Sequence, residues 1–192
     1  TAATVVAHSF GSTPSLFASH RRPDLIARLV IIDSRLNIPP LPLPTPDGSY
    51  RTTSRRRYAS PEEALERYRL IPPGGPVAPD VLRHVAQHGL RRDGEHWVWK
   101  FDPAIDPQLF YQSSGLIPDG IDTPIDYIFG ENSRSVSQAV ATAISDYLPN
   151  CGQAIGIPGA GHHILLEQPE MLISVLRALF SRQPARSRSV AV

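Results

Sequence analysis

The segment Thr4–Gly11, which reads Thr-Val-Val-Ala-His-Ser-Phe-Gly, decides the fold. Its apolar start is typical of a strand, and a helical pattern through Leu16, Phe17 and Ile26 begins directly after the turn. A serine hydroxyl becomes a useful nucleophile only when it is held exposed beside a base, and a sharp strand-to-helix turn can hold it so. Ser9 is therefore the candidate nucleophile.

The residues around Ser9 support this interpretation. Ala7 and Gly11 lie two residues to either side of it, and we expect a turn so tight that both flanks must be small. The backbone amide of Phe10 then points to where negative charge develops on a substrate oxygen, which makes it a candidate oxyanion-hole donor. The alternative is that Ser9 only caps the following helix, a position that serine prefers.

The rest of the α/β pattern lies on both sides of a long middle segment. Leu29–Ile32 is a four-residue apolar run of the kind a buried parallel strand needs, and strand–helix–strand implies a right-handed parallel crossover. After Pro124 the pattern resumes, which predicts an α/β fold with a mostly parallel sheet flanked by helices. The later elements are strands at Ile125–Phe129 and Ala154–Ile157 and helices at Val136–Leu148 and Pro169–Phe180.

Residues 34–123 differ in composition and predict an insertion between core parts 1–33 and 124–180. They hold 13 of the 20 prolines, five of them between positions 39 and 46, where the chain is expected to be an extended connector. The Arg- and Ser-rich tail 181–192 is expected to be disordered.

Short elements are expected within the insertion. Ser60-Pro61-Glu62-Glu63 is a capping box that starts a helix, and a second helix is expected from Pro79 to His88 with Val81, Leu82 and Val85 facing inward. Trp97–Trp99 is a short strand or extended piece. With Phe101, its tryptophans form either the insertion's own core or the wall of a substrate pocket.

A second stretch supplies the base. Ile157–His163 reads Ile-Pro-Gly-Ala-Gly-His-His after the last strand, so its glycines let a loop turn over the sheet edge at which the strands end. His162, directly after Gly161, is the candidate general base. His163 is the alternative, with packing or loop orientation as its other role.

These motifs together resemble the α/β-hydrolase family, from the nucleophile turn Ala7–Gly11 through the histidine loop to Leu165–Pro169. The resemblance covers almost the whole chain and implies a serine hydrolase with a helical cap at 34–123. It also implies that strands lie upstream of Thr1 in a longer protein, along with a loop that carries the second oxyanion donor.

The acid of the triad is where the sequence departs from this resemblance. The commonest family layout has an aspartate three residues beyond Gly130, and here that position is Ser133. Asp33, at the end of the strand after the nucleophile helix, is the preferred acid because some members of the family supply theirs from that place. Glu131 is the alternative, and Asp126 is disfavoured because it lies inside a strand.

Composition excludes several other functions. Lys and Arg total 19 against 18 Asp and Glu, so a net charge of +1 does not favour nucleic acid or a membrane surface as partner. The single cysteine, Cys151, cannot form an internal disulfide. The basic run Arg55–Arg57 is interpreted as a solvated loop. His84 and His88 have a metal-ligand spacing on one helix but are expected to face solvent, and no nucleotide or phosphate motif implies a cofactor.

The sequence thus predicts a cofactor-free, cytoplasmic hydrolase of a carboxylic ester or a related small acyl or carbon–carbon substrate. A serine rather than a carboxylate at the turn disfavours the dehalogenases and epoxide hydrolases that resemble this fold. The alternatives are a ligand-binding protein that retains the hydrolase shell with slow or no turnover, and an inactive truncated fragment.

Overall fold

The computed structural model describes residues 2–41, 56–102 and 117–182. A 3-10 turn, Ser9–Gly11, joins the first strand to the first helix. In chain order the helices and strands are β1 (Ala3–His8), α1 (Ser12–Arg21), β2 (Ile26–Ile32), α2 (Pro61–Glu66), α3 (Pro79–His88), β3 (Leu90–Asp93), β4 (His96–Trp99), β5 (Ile125–Gly130), α4 (Gln138–Tyr147), β6 (Ile155–Ile157), α5 (Ile164–Glu167) and α6 (Pro169–Phe180).

Four of these strands form a parallel sheet in the order β1-β2-β5-β6. His8 pairs with Ile32, Ile32 with Ile128, and Gly130 with Ile157, so the strands end at one common edge. The loops that carry Ser9, Asp33 and His162 all leave from this edge. The predicted mostly parallel α/β architecture is confirmed.

The core lies on both faces of the sheet because β2 and β5 are covered by helices on each side. Alternate residues of the two strands face opposite clusters, which explains why both strands are continuous apolar runs. One face packs against α1 and α4 through Leu29, Ile31, Tyr127, Phe129, Leu16 and Ile144. The other packs against α5 and α6 through Val30, Ile32, Ile128, Ile164, Leu172 and Leu179.

The first helix is shorter than the sequence predicts. α1 ends at Arg21, and Ile26 is the first residue of β2 rather than part of the helix. Arg22 leaves the helical conformation with φ −136° and ψ 62° because Pro23 follows it, and a residue before proline avoids the α region.

The insertion holds both predicted helices. Ser60 Oγ accepts from the Glu63 amide at 3.2 Å, and the Glu63 carboxylate accepts from the Ala59 amide at 3.0 Å, so the predicted capping box is present with its return bond one residue upstream. α3 has the predicted bounds, but Val81 is 39% exposed, whereas Ala86 is buried.

Next to these helices, β4 pairs with β3 in an antiparallel hairpin that the sequence did not predict. Trp97 and Trp99 pack against a small cluster around Tyr58, as expected for a core of the insertion, and the Trp99 indole donates to the Tyr58 hydroxyl at 3.2 Å. Phe101 is exposed instead.

Arg55, most of the proline connector and the tail from 183 lie outside the described residues, so those predictions are not addressed. No helix in the described ranges is both long enough and apolar enough to cross a bilayer.

Candidate active site

Ser9 lies at the point where β1 turns into α1. His8 is still extended, and Ser9 itself has φ +51°. The hydroxyl of Ser12 donates to the Ala7 carbonyl at 3.1 Å and ties the start of the helix to the end of the strand. α1 has Gly11 at its N-cap and no side-chain cap, so the alternative in which Ser9 caps this helix is wrong.

Packing explains only one of the two small residues that lie on either side of Ser9. Ala7 is buried against the core, but a Cβ added at Gly11 would meet no atom within 4 Å among the described residues. Crowding by the described residues therefore does not explain the glycine at position 11.

Two non-glycine residues of the described chain have a positive φ, and they are Ser9 and Asp33, at +51° and +45°. Each costs roughly 1–2 kcal/mol relative to a right-handed conformation. Such strain persists where the surrounding structure imposes it, and it clusters at functional sites. Backbone geometry thus selects two of the three residues that the sequence proposes for a triad.

Asp33 follows β2 directly and is fully buried, at 0% exposure. Its Oδ2 accepts from Nδ1 of His162 at 2.7 Å and from the Ser133 hydroxyl at 2.7 Å, and its Oδ1 accepts from the Gly130 amide at 2.9 Å. A buried carboxylate is stabilised in this position because three donors form hydrogen bonds to it.

His162 is 6% exposed and lies on the loop after β6, where Gly159 has φ +72°. Because its Nδ1–H donates to Asp33, its Nε2 is left as the acceptor. Glu167 holds this loop, since its carboxylate accepts from the amides of Gly161 at 2.5 Å and His163 at 3.1 Å.

The other residues considered from sequence lie elsewhere. His163 turns its Nε2 to the carbonyl of Pro72, at 2.9 Å. The Glu131 side chain lies along Gly156 of β6 and has no hydrogen bond to His162. Asp126 forms an ion pair with Arg28 at 2.6 Å, near the opposite end of the strands.

Sequence reasoning missed His8 as a member of this site. Its Nε2 donates to the carbonyl of His162 at 2.8 Å, and the two imidazole rings lie 4.8 Å apart. Burial lowers the pKa of His8 most strongly, and charge repulsion from His162 and His163 adds to this effect; the His162 carbonyl and Asp33 oppose it. The signal available in the sequence was the position of His8 next to Ser9.

Tyr127 and Ser34 form a chain of hydrogen bonds that ends at the backbone of Ser9. Ser34 donates to the carbonyl of Ser9 at 2.9 Å, and the buried hydroxyl of Tyr127 donates to the carbonyl of Ser34 at 2.5 Å. Burial, with the nearby charge of Asp33, raises the pKa of Tyr127 far above its ordinary value, so this hydroxyl remains a neutral donor.

Ser9 and His162 open onto one cleft of about 260 Å³. Its rim includes apolar side chains from two parts of the chain, since Phe10 is 56% exposed and Ile71 of the insertion is 73% exposed. The cleft thus joins a serine hydroxyl, an imidazole and apolar surface.

Metal ligation has little support in the part of the chain that the structure describes. It contains no group of three or more His, Cys, Asp or Glu side chains placed to hold a metal ion. On α3, Nδ1 of His88 bonds to the carbonyl of His84 at 2.9 Å, so one nitrogen of this pair is already used.

Comparisons with known proteins identify the family and agree with the fold. The sequence model described as "Alpha/beta hydrolase family" matches residues 1–175. No curated protein sequence matches the chain.

Among solved structures, an esterase from M. tuberculosis is similar, with a TM-score of 0.65 and 20% identity over 93% of this chain and 62% of its own. An E-2-(acetamidomethylene)succinate hydrolase has a TM-score of 0.67 and 20% identity, over 94% of this chain and 67% of its own. A thioesterase domain from the curacin biosynthetic pathway has a TM-score of 0.64 and 16% identity, over 92% of this chain and 66% of its own. At these identities the likeness shows the fold, and the chain spans less than two thirds of the esterase's length.

Proposed function

The chain belongs to the alpha/beta hydrolase family, and from this premise we propose that it is the catalytic part of a serine hydrolase acting on a small carboxylic ester or a related acyl or carbon–carbon substrate. The observation that carries the proposal is the buried 2.7 Å contact between Asp33 and Nδ1 of His162, beside a strained Ser9 on the same cleft. Hydrolase chemistry is the family's general activity, whereas the triad and the substrate class are our proposal.

The proposed reaction has two acyl-transfer steps. Ser9 Oγ attacks the substrate carbonyl while Nε2 of His162 takes the hydroxyl proton, and the same nitrogen then delivers that proton to the departing alcohol. Water, deprotonated by His162, next attacks the acyl-serine; the carboxylic acid leaves and Ser9 regains its proton. Throughout, Asp33 holds the imidazole in the tautomer whose Nε2 faces the cleft.

The tetrahedral intermediate of each step carries a negatively charged oxygen. We assign the Phe10 amide, in the first turn after Ser9, as one donor to this oxyanion. Loss of one oxyanion-hole donor typically lowers kcat by about 100- to 1,000-fold, so this amide matters for turnover.

The cleft supports a substrate with an apolar portion. Phe10 lies beside the nucleophile, and Ile71 and Pro72 reach the same cleft from the insertion. We propose that the insertion, residues 34–123, acts as a cap over the site, so that residues from it help to select the acyl or alcohol group. The partner is then a small molecule, and no cofactor is needed for the chemistry described.

A fluorophosphonate probe tests the nucleophile in the full-length protein. We expect one label, on Ser9, and no labelling of Ser9→Ala. Ser15→Ala is a matched control, because it removes a nearby hydroxyl that only donates to the Gly11 carbonyl, and it should label normally. Labelling of Ser9→Ala would overturn the assignment, and a panel of esters would separate an enzyme from a binding protein that does not turn over.

A further inference from the structure

Ser133 lies where the commonest family layout has its acid. Its side-chain hydroxyl makes three hydrogen bonds. Its Oγ is 2.7 Å from Oδ2 of Asp33 and 3.2 Å from the amide nitrogens of both Ser135 and Val136. A hydroxyl has one proton and two lone pairs. Because the two amides donate to the lone pairs, the proton must point at Asp33.

Asp33 therefore has donors from three parts of the chain: the Gly130 amide at the end of β5, the Ser133 hydroxyl and the His162 imidazole. The last two share one oxygen, Oδ2. A donor with a fixed direction restricts the position of that oxygen and also takes up part of its negative charge. The strength of the Asp33–His162 bond thus depends on Ser133.

We propose that Ser133 is a positioning residue that fixes the Asp33 carboxylate and sets the strength of its hydrogen bond to His162. The proposal goes beyond the triad but rests on the proposed function for its effect on turnover. A serine in place of the usual acid complements the acid contributed by the neighbouring strand, because a carboxylate at position 133 would oppose Asp33 with a like charge.

Among the described residues, three ionisable groups lie against His162: Asp33 beyond β2, His8 on β1 and His163 on its own loop. Removing the Ser133 hydroxyl changes none of these groups chemically. It removes one of the two donors to Oδ2 of Asp33, so an effect of this change on His162 must pass through the Asp33 carboxylate.

The test compares Ser133→Ala and Ser133→Thr with the wild type in the full-length protein. Ser137→Ala is the matched control, since Ser137 caps α4 through the Val140 amide and does not contact Asp33. The first readout is the Nδ1–H proton resonance of His162 in protein labelled with 15N-histidine, which does not depend on turnover. The others are kcat and KM on an ester that the wild type hydrolyses.

We expect Ser133→Ala to shift the Nδ1–H resonance and to lower kcat about tenfold with little change in KM, since hydrogen bonds to charged groups are of this strength. Ser133→Thr retains the hydroxyl and should behave like the wild type in both readouts. Ser137→Ala should lower stability alone.

An unchanged resonance in Ser133→Ala would overturn the proposal, as would a threonine variant that behaves like alanine. A wild-type protein without a reactive Ser9 would instead overturn the proposed function, because the resonance still reports on Ser133 in that case.

Discussion

The two ends of the parallel sheet each hold an aspartate in a short hydrogen bond, and they use it differently. Asp33 lies just beyond the carboxyl end of β2 and contacts His162, whose imidazole can accept and release a proton. Asp126 lies near the amino end of β5, opposite Val30, and contacts Arg28, whose charge is permanent. One contact can take part in proton transfer, and the other can only hold structure.

The surroundings of each pair fit this division. Arg28 also donates to the carbonyl of Leu179 at 2.6 Å, so the amino-end pair ties α6 to the sheet. At the carboxyl end the chain instead holds Ser9 and Asp33 in strained backbone conformations. Stability is concentrated at one end and strain at the other, as expected where loops at the carboxyl ends of strands carry the site.

The largest expected effect is on activity, from Asp33→Asn. An asparagine can donate to Nδ1 and so stabilise the wrong imidazole tautomer, which should lower kcat about 10³- to 10⁴-fold. Glu131→Gln is the control, since its carboxylate lies along Gly156 rather than at the histidine. Steady-state hydrolysis checks both. A larger loss of kcat in Glu131→Gln than in Asp33→Asn would assign the acid role to Glu131, directly after β5. It would contradict the comparison drawn above, in which Asp33 takes part in proton transfer.

The next effect is on folding, from Asp126→Asn. Loss of the carboxylate leaves the buried guanidinium of Arg28 without its counter-charge, which should lower the free energy of unfolding by about 3–5 kcal/mol. Urea denaturation measures this change, and kcat per folded molecule should stay close to the wild-type value.

Asp24→Asn is its control because Asp24 makes the same type of pair with Arg22, at 2.7 Å, but fully in solvent. It should have little effect on stability. If the two variants lose equal stability, burial is not what makes the Arg28 pair important.

The smallest effect is on the pH dependence of stability, and it arises from His8 at the carboxyl end of β1. The pKa of His8 is lowered in the fold from 6.5, so below that pH the unfolded chain takes up a proton that the folded chain does not yet bind. Stability should therefore fall as pH drops below about 6.5, by at most about 1.4 kcal/mol per pH unit from this residue.

His8→Gln tests this, because glutamine retains an N–H donor for the His162 carbonyl but does not titrate. Urea denaturation between pH 5 and pH 8 should show a shallower acid slope in the variant. An identical slope would show that His8 does not contribute.

Much of the site could be predicted from the sequence because its signals are local. The turn around Ser9, the apolar strand before Asp33 and the glycine loop before His162 are each short patterns with one structural outcome. The apolar pattern through Ile26 overextends α1, because the steric effect of Pro23 on Arg22 ends the helix at Arg21. β3 was missed because Leu90–Asp93 has too few apolar residues to signal a strand, and pairing with β4 outweighs its weak propensity.

The sequence by itself determined the fold class, the four strands of the parallel sheet and the three residue types proposed for catalysis. Only the tertiary structure decided which carboxylate meets His162, since Asp33 and Glu131 are both plausible along the chain and only the parallel register of β2 and β5 separates them in space. It also decided what Ser133 and His8 contact. Hydrogen bonds across a hundred residues or more depend on the packing of the sheet, and no local pattern encodes them.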